Sequence, residues 1–130
     1  MATVLTTRAL VLFAHGARAA SWAAPFERLR DLVAARQPGV DVSLAFLELM
    51  EPRLPAHAAA LVARGVTELT VVPVFLGQGG HVLRDLPLMI EQLRADLPQL
   101  TIEVVEAVGE NAAVLAAIAD YCVGSLHPAA

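Results

Sequence analysis

Two histidines stand at the ends of apolar runs. His15-Gly16 follows the run at residues 9–14, and His81 closes the glycine-rich stretch Gly77-Gln78-Gly79-Gly80 that follows the run at residues 68–75. Glu48 lies just past a third run, residues 40–46, and Glu106 just past a fourth, residues 101–105. Neutral imidazole is a common ligand for Co²⁺, Ni²⁺, Fe²⁺ and Zn²⁺. Two imidazoles and a carboxylate can hold such an ion and leave coordination positions open. Open positions suit a transfer or catalytic site, as opposed to a closed structural one. The competing reading is that each histidine merely caps a loop.

Other chemistries lack their residues. Neither His15-Gly16 nor Gly77-Gln78-Gly79-Gly80 has the spacing of a phosphate-binding loop or a dinucleotide fingerprint. The chain has no Gly-x-Ser-x-Gly elbow, and Ser21 and Ser43 are not placed for an exposed nucleophile. A phospho-acceptor site would want acidic residues after the first run, where His15-Gly16-Ala17-Arg18 is basic.

The elements that must position these groups alternate two hydrophobic periods. Arg8–Ala14 is apolar almost throughout, as a strand buried on both faces should be. Trp22, Phe26, Leu29 and Val33 mark a first helix, which Pro38-Gly39 ends. Residues 40–46 form a second strand. Pro52 opens a second helix with Leu54, Ala58, Leu61 and Val62 on its stripe and Gly65 at its end. Residues 68–75 form a third strand, with Pro73 loosening its end. Leu86, Ile90, Leu93 and Leu97 mark a third helix, which Asp85 precedes as a candidate cap and Pro98 stops. After a short strand at 101–105, Asn111 caps a last helix carrying Val114, Leu115, Ile118 and Cys122.

Strands alternating with helices imply an α/β three-layer sandwich on a four-stranded parallel sheet, flavodoxin-like, with right-handed crossovers. In such a sheet ligands bind beyond the carboxyl ends of the strands, at the topological switch point. His15, Glu48, His81 and Glu106 all fall on that edge.

The length of 130 residues predicts a single domain, 1–130, with its core at about 8–123. Hydrophobic residues make up 57%, which excludes a disordered tail, yet charges break every stretch long enough to cross a membrane. The net charge of −4 argues against a nucleic-acid surface. All 9 basic residues are arginine, so an anionic partner would be gripped by planar guanidinium groups. Cys122 excludes an intrachain disulfide and is expected to be buried in a cytoplasmic protein. Residues 9–14 are too few for the apolar region of a secretory signal.

Three segments carry a family likeness: "LVLFAHGAR", "FLELMEP" and "VVPVFLGQGGHVLRDLP". In this order and spacing the chain resembles the small class II tetrapyrrole chelatases, the sirohydrochlorin chelatases of the CbiX/SirB type, over residues 9–114. The resemblance implies a chelatase-like fold and insertion of Co²⁺, Ni²⁺ or Fe²⁺ into sirohydrochlorin or a close relative. Such a step serves cobalamin, coenzyme F430 or sirohaem synthesis. It puts the family's histidines on His15 and His81 and its acidic residue on Glu48. It implies a homodimer with the macrocycle in a cleft, the metal ion as substrate and no organic cofactor. Two departures stand out: Ala17 where the family commonly has Ser, and residues 109–114 where it usually has a stretch with His and Pro.

On that reading His15 and His81 hand the metal to the ring, and Glu48 orients a histidine or takes a proton onward. Leu47, Met50, Leu76 and Val82 are candidates to stack on the macrocycle. Arg18, Arg53 and Arg84 are candidates for its carboxylates. His57 and His127 are bystanders, and Trp22 and Tyr121 belong to core or interface. The alternatives are a non-catalytic metal or tetrapyrrole carrier with the same pocket, and a regulatory module working through a partner face.

Overall fold

The computed structural model describes residues 7–126, residue 81 by its backbone only. His127 lies outside the described residues. Four strands form one sheet: β1 (Arg8–Ala14), β2 (Asp41–Phe46), β3 (Glu68–Pro73) and β4 (Thr101–Val104). All three pairings are parallel, in the order β2-β1-β3-β4. The helices are α1 (Ala24–Arg36), α2 (Leu54–Ala63), α3 (Gly80–Asp96) and α4 (Ala112–Gly124). Short 3₁₀ turns, η1 (Ala20–Ala23) and η2 (Val108–Glu110), lead into α1 and α4.

β1 is central because its side chains find cover on both faces; Val11, Leu12, Phe13 and Ala14 are all buried. Right-handed crossovers put α1 on one face and α2 and α3 on the other. The packing agrees. Val11, Phe13, Leu69 and Val71 join Leu54, Leu61, Ile90 and Leu93 in the main core. Leu12, Ala14, Leu44 and Phe46 meet Trp22, Phe26 and Leu29 in a smaller one. Each fully buried Leu or Phe here contributes about 1.5–3 kcal/mol.

α1 covers β2 and β1. No described helix lies over β3 and β4 on that same face, where Val72 and Val74 remain only partly buried. α4, the helix that chain order would bring there, touches mainly η2. All its residues but the half-buried Val114 are exposed. Cys122 is therefore exposed and not a core residue, and Tyr121, 78% exposed, is no part of the core.

The helix starts differ from the sequence expectation in two places. α2 begins at Leu54 with Pro55 in its first turn, and Pro52 lies in the preceding loop after a cis Glu51–Pro52 bond. α3 begins at Gly80, so His81 sits in its first turn, and Asp85 lies within the helix instead of capping it. Pro87 is inside α3. It has no N–H to give the carbonyl of Leu83 one turn back. At the other end Gly65 takes φ +98° after α2, and the Asn111 side chain caps α4 by accepting from Val114 N–H at 3.1 Å.

Candidate active site

The sheet order reverses between β1 and β3, since α1 leaves β1 toward β2 and α2 returns past it to β3. The crevice beyond the carboxyl ends of these two strands is the switch point. His15 follows β1 directly, and α3 with His81 in its first turn begins seven residues beyond the end of β3. The topology thus mounts the two predicted histidines on neighbouring connections at one edge.

The lip around His15 is stitched from backbone. Leu47 N–H donates to the Ala14 carbonyl at 2.9 Å, and Glu48 N–H donates to the His15 carbonyl at 3.0 Å. Gly16 makes this approach possible. Its φ is +93°, and a Cβ there would collide with the Glu48 carbonyl. The residues 47–52 then fold back, with Phe46 N–H donating to the Pro52 carbonyl at 2.9 Å. Glu48 is exposed on this lip. Beyond β3, Gly109 N–H donates to the Phe75 carbonyl at 2.9 Å, tying the β4 connection to the same edge.

His15 is half-buried with its ring against Phe75, centroids 4.8 Å apart. Phe75 in turn meets Phe13 edge-on at 5.9 Å. Sequence reasoning missed Phe75, although the parallel register carries the signal. Phe13 pairs with Pro73, so the residues two positions on, His15 and Phe75, come opposite each other.

Three exposed leucines rim the edge: Leu49 at 51%, Leu76 at 65% and Leu83 at 57%. Of the apolar residues named as candidates to stack on a ligand, Leu76 is exposed. Val82, 1% exposed, belongs to the core, and Leu47 and Met50 pack against the two clusters. Leu49 and Leu83 were not foreseen. Arg18, Arg53 and Arg84 are exposed, and none is in an ion pair among the described residues. Arg53 precedes α2 directly, and its backbone N–H donates to Glu51 Oε2 at 3.2 Å. Glu106 is exposed and accepts from Asn111 Nδ2 at 2.8 Å. Among the described residues no group of three or more His, Cys, Asp and Glu side chains converges as a ready metal cage.

His57 stands apart from this edge. Its Nε2 lies 2.7 Å from Ser43 Oγ, joining α2 to the outer strand β2. Burial holds its pKa below the ordinary 6.5, the Arg64 guanidinium pushes the same way, and Asp41 opposes both.

The model of the CbiX family matches residues 9–122. The chain belongs to the CbiX family. The sirohydrochlorin cobaltochelatase of Methanopyrus kandleri is 34% identical over 82 residues, which are 63% of this chain and 57% of that protein. The chain thus spans less than two thirds of that relative. The crystal structure of a putative cobalamin (vitamin B12) biosynthesis CbiX protein from Marinobacter aquaeolei superposes with a TM-score of 0.79 at 34% identity. That match covers 90% of this chain and 95% of the other. SirB from Bacillus subtilis with Fe³⁺ superposes with a TM-score of 0.75 at 25% identity. It is matched over 94% of this chain but only 48% of its own, so this CbiX-family chain corresponds to about half of it. The α/β fold with its four-stranded parallel sheet is the chelatase fold of these structures.

Proposed function

We propose that the chain is a sirohydrochlorin metal chelatase, inserting Co²⁺, Ni²⁺ or Fe²⁺ into the macrocycle. The observation that carries this reading is the pairing of His15 and the His81 turn of α3 at the switch point of a CbiX-family sheet. The names of the relatives support the reaction class: cobaltochelatase in M. kandleri, and an iron-bound SirB in B. subtilis.

Insertion must strip water from the ion and expel two pyrrole N–H protons from the ring. In the proposed mechanism His15 and His81 hold the incoming ion through imidazole nitrogens and pass it to the ring nitrogens. An imidazole freed of metal takes up a pyrrole proton. Glu48, bound through its backbone to His15, orients that histidine or passes the proton to solvent. Leu49, Leu76 and Leu83 offer apolar surface to the flat ring, and Arg18, Arg53 and Arg84 offer guanidinium groups to its carboxylates. No organic cofactor enters the scheme. The choice among cobalt, nickel and iron follows supply, since one ligand set suits all three.

The active form in this proposal is a homodimer. The relation to SirB supports it, because two copies make up about the length of that chain. We place the protein in the cytoplasm; no helix among the described residues is long and apolar enough to cross a membrane, and the exposed Cys122 suits a reducing compartment.

The test is direct. The protein is mixed anaerobically with sirohydrochlorin and each metal in turn, and the absorbance change is followed. Acceleration over the metal-only reaction is expected with at least one ion. No acceleration with any of the three would overturn the proposal, and tight binding without acceleration would point to a carrier.

A further inference from the structure

We propose that Ser43 and His57 form a second catalytic site, an acyl-transfer dyad that hydrolyses small carboxylic esters at the outer edge of the sheet. This site is separate from the His15 edge and does not rest on the chelatase reading.

The pair has the contact that such chemistry requires. Ser43 Oγ and His57 Nε2 lie 2.7 Å apart, within reach for a nucleophile and its base. The two residues come from different elements. Side chains alternate along β2, so Ser43 faces α2 while Leu44 packs toward α1. His57 meets it from α2, and both are half-buried. The imidazole is in its basic form at neutral pH. Burial holds its pKa below 6.5 and Arg64 adds to this, while Asp41, bonded to Arg64 at 3.0 Å, opposes both. With Ser43 as donor, Nε2 accepts and the ring proton sits on Nδ1.

The pair also has room for a substrate. The missing elbow counts against Ser43 in the sequence. In the fold, Ser43 and His57 both line a cavity of about 470 Å³. Leu44, Phe46, Met50 and Pro52 give that cavity an apolar wall. Its charged groups, besides the neutral His57, are Glu27 and Arg30 from α1 and Glu51 from the loop before α2. Arg30 is turned to Asp31 at 3.1 Å, so the two carboxylates set the sign. A short apolar acyl group suits the wall, and a neutral or cationic alcohol half suits the carboxylates.

The open edge supplies the last part. β2 has a neighbouring strand on one side only. Phe46 N–H points away from β1, to the Pro52 carbonyl. Alternate residues of a strand direct their N–H groups the same way, so Leu44 N–H points to the open edge. It follows the nucleophile directly, the position that supplies an oxyanion donor in nucleophile-elbow hydrolases. The other outer strand is closed: on β4 the Arg94 guanidinium donates to the Ile102 carbonyl at 2.8 Å.

The reaction balances with water alone. Ser43 Oγ bonds to the ester carbonyl carbon as its proton passes to His57 Nε2. The bond from that carbon to the alkoxide breaks, and the alkoxide leaves with the proton as the alcohol. Water then attacks the acyl-serine and gives a proton to Nε2. The Oγ–carbon bond breaks, Oγ recovers the proton, and a carboxylic acid departs.

The test is hydrolysis of p-nitrophenyl acetate by the full chain, read as nitrophenolate release over the buffer rate. Turnover with an initial burst is expected. Ser43→Ala and His57→Gln should each lower the rate about 100-fold. The double variant should fall no further, because the two groups act as a unit. The rate should rise with pH to a plateau above 6.5, following loss of the His57 proton. A fluorophosphonate should label Ser43, as mapped by peptide mass spectrometry, and His57→Gln should lose the label. Labelling of wild type decides the case if a variant does not fold. Hydrolysis that survives Ser43→Ala, or a wild type that takes no label at Ser43, overturns the site and leaves the pair as a bond between α2 and β2.

Discussion

The imidazole of His15 rests on the ring of Phe75, with centroids 4.8 Å apart and planes inclined at 55°. Phe75 is itself buried and braced by Phe13. The first candidate ligand is thus held by the core of the sheet, and its orientation is a packing property. An aromatic ring restricts the imidazole without competing for its nitrogens, which stay available to metal or proton.

Replacing that brace tests the point. Phe75→Leu keeps an apolar side chain and should cost about 1 kcal/mol of stability, read by urea unfolding. Metal insertion should fall about tenfold, because small misplacements of a catalytic group cost rate steeply. An unchanged rate in the folded variant would show that Phe75 is only filler.

The histidines should separate by position. His15→Ala and His81→Ala are each expected to lower the insertion rate by about 100-fold or more, the usual weight of a proton-accepting group. His57→Ala should leave the rate within about twofold, since it lies on α2 beside Ser43 and proton-transfer effects require contact with the reacting group.

Gly16 should tolerate no side chain. Gly16→Ala places a Cβ against the Glu48 carbonyl at a φ of +93°. The strained backbone alone costs about 1–3 kcal/mol. A lower melting temperature and weaker insertion should appear together, because the same bond network holds His15 and Glu48.

His57 makes stability depend on pH in a defined direction. Its folded pKa lies below the ordinary 6.5, chiefly through burial. As pH falls below 6.5, the unfolded chain takes up the proton first. Its contribution is therefore full above 6.5 and is lost as pH falls toward the lowered folded value. Unfolding midpoints measured across that window should drop in wild type and flatten in His57→Gln.

The sheet and the site edge were legible because each rests on a local pattern. Val11–Ala14 reads as a strand buried on two faces, and strand–helix alternation places whatever follows β1 and β3 at one edge. What escaped depends on contacts between distant residues. Ser43 and His57 meet across a strand and a helix, and nothing in either segment names the other. The stripe of α4 has the same period whether it faces its own core or another chain, so Cys122 read as buried. Pro52 and Pro55 both suit a helix start; the return of the chain to Phe46 puts Pro52 in the loop.

Pro87 leaves the two histidines on mounts of unequal stiffness. His15 hangs from a central strand, whereas His81 rides a turn whose carbonyl at Leu83 has lost its helical partner. Opening residues 80–84 breaks one helical bond fewer than it would in an uninterrupted helix. Their amides should exchange with deuterium faster than those of residues 89–96, and Pro87→Ala should slow them. In the proposed mechanism one jaw of the pair is then an anvil and the other a finger: the metal is gripped by both and let go by one.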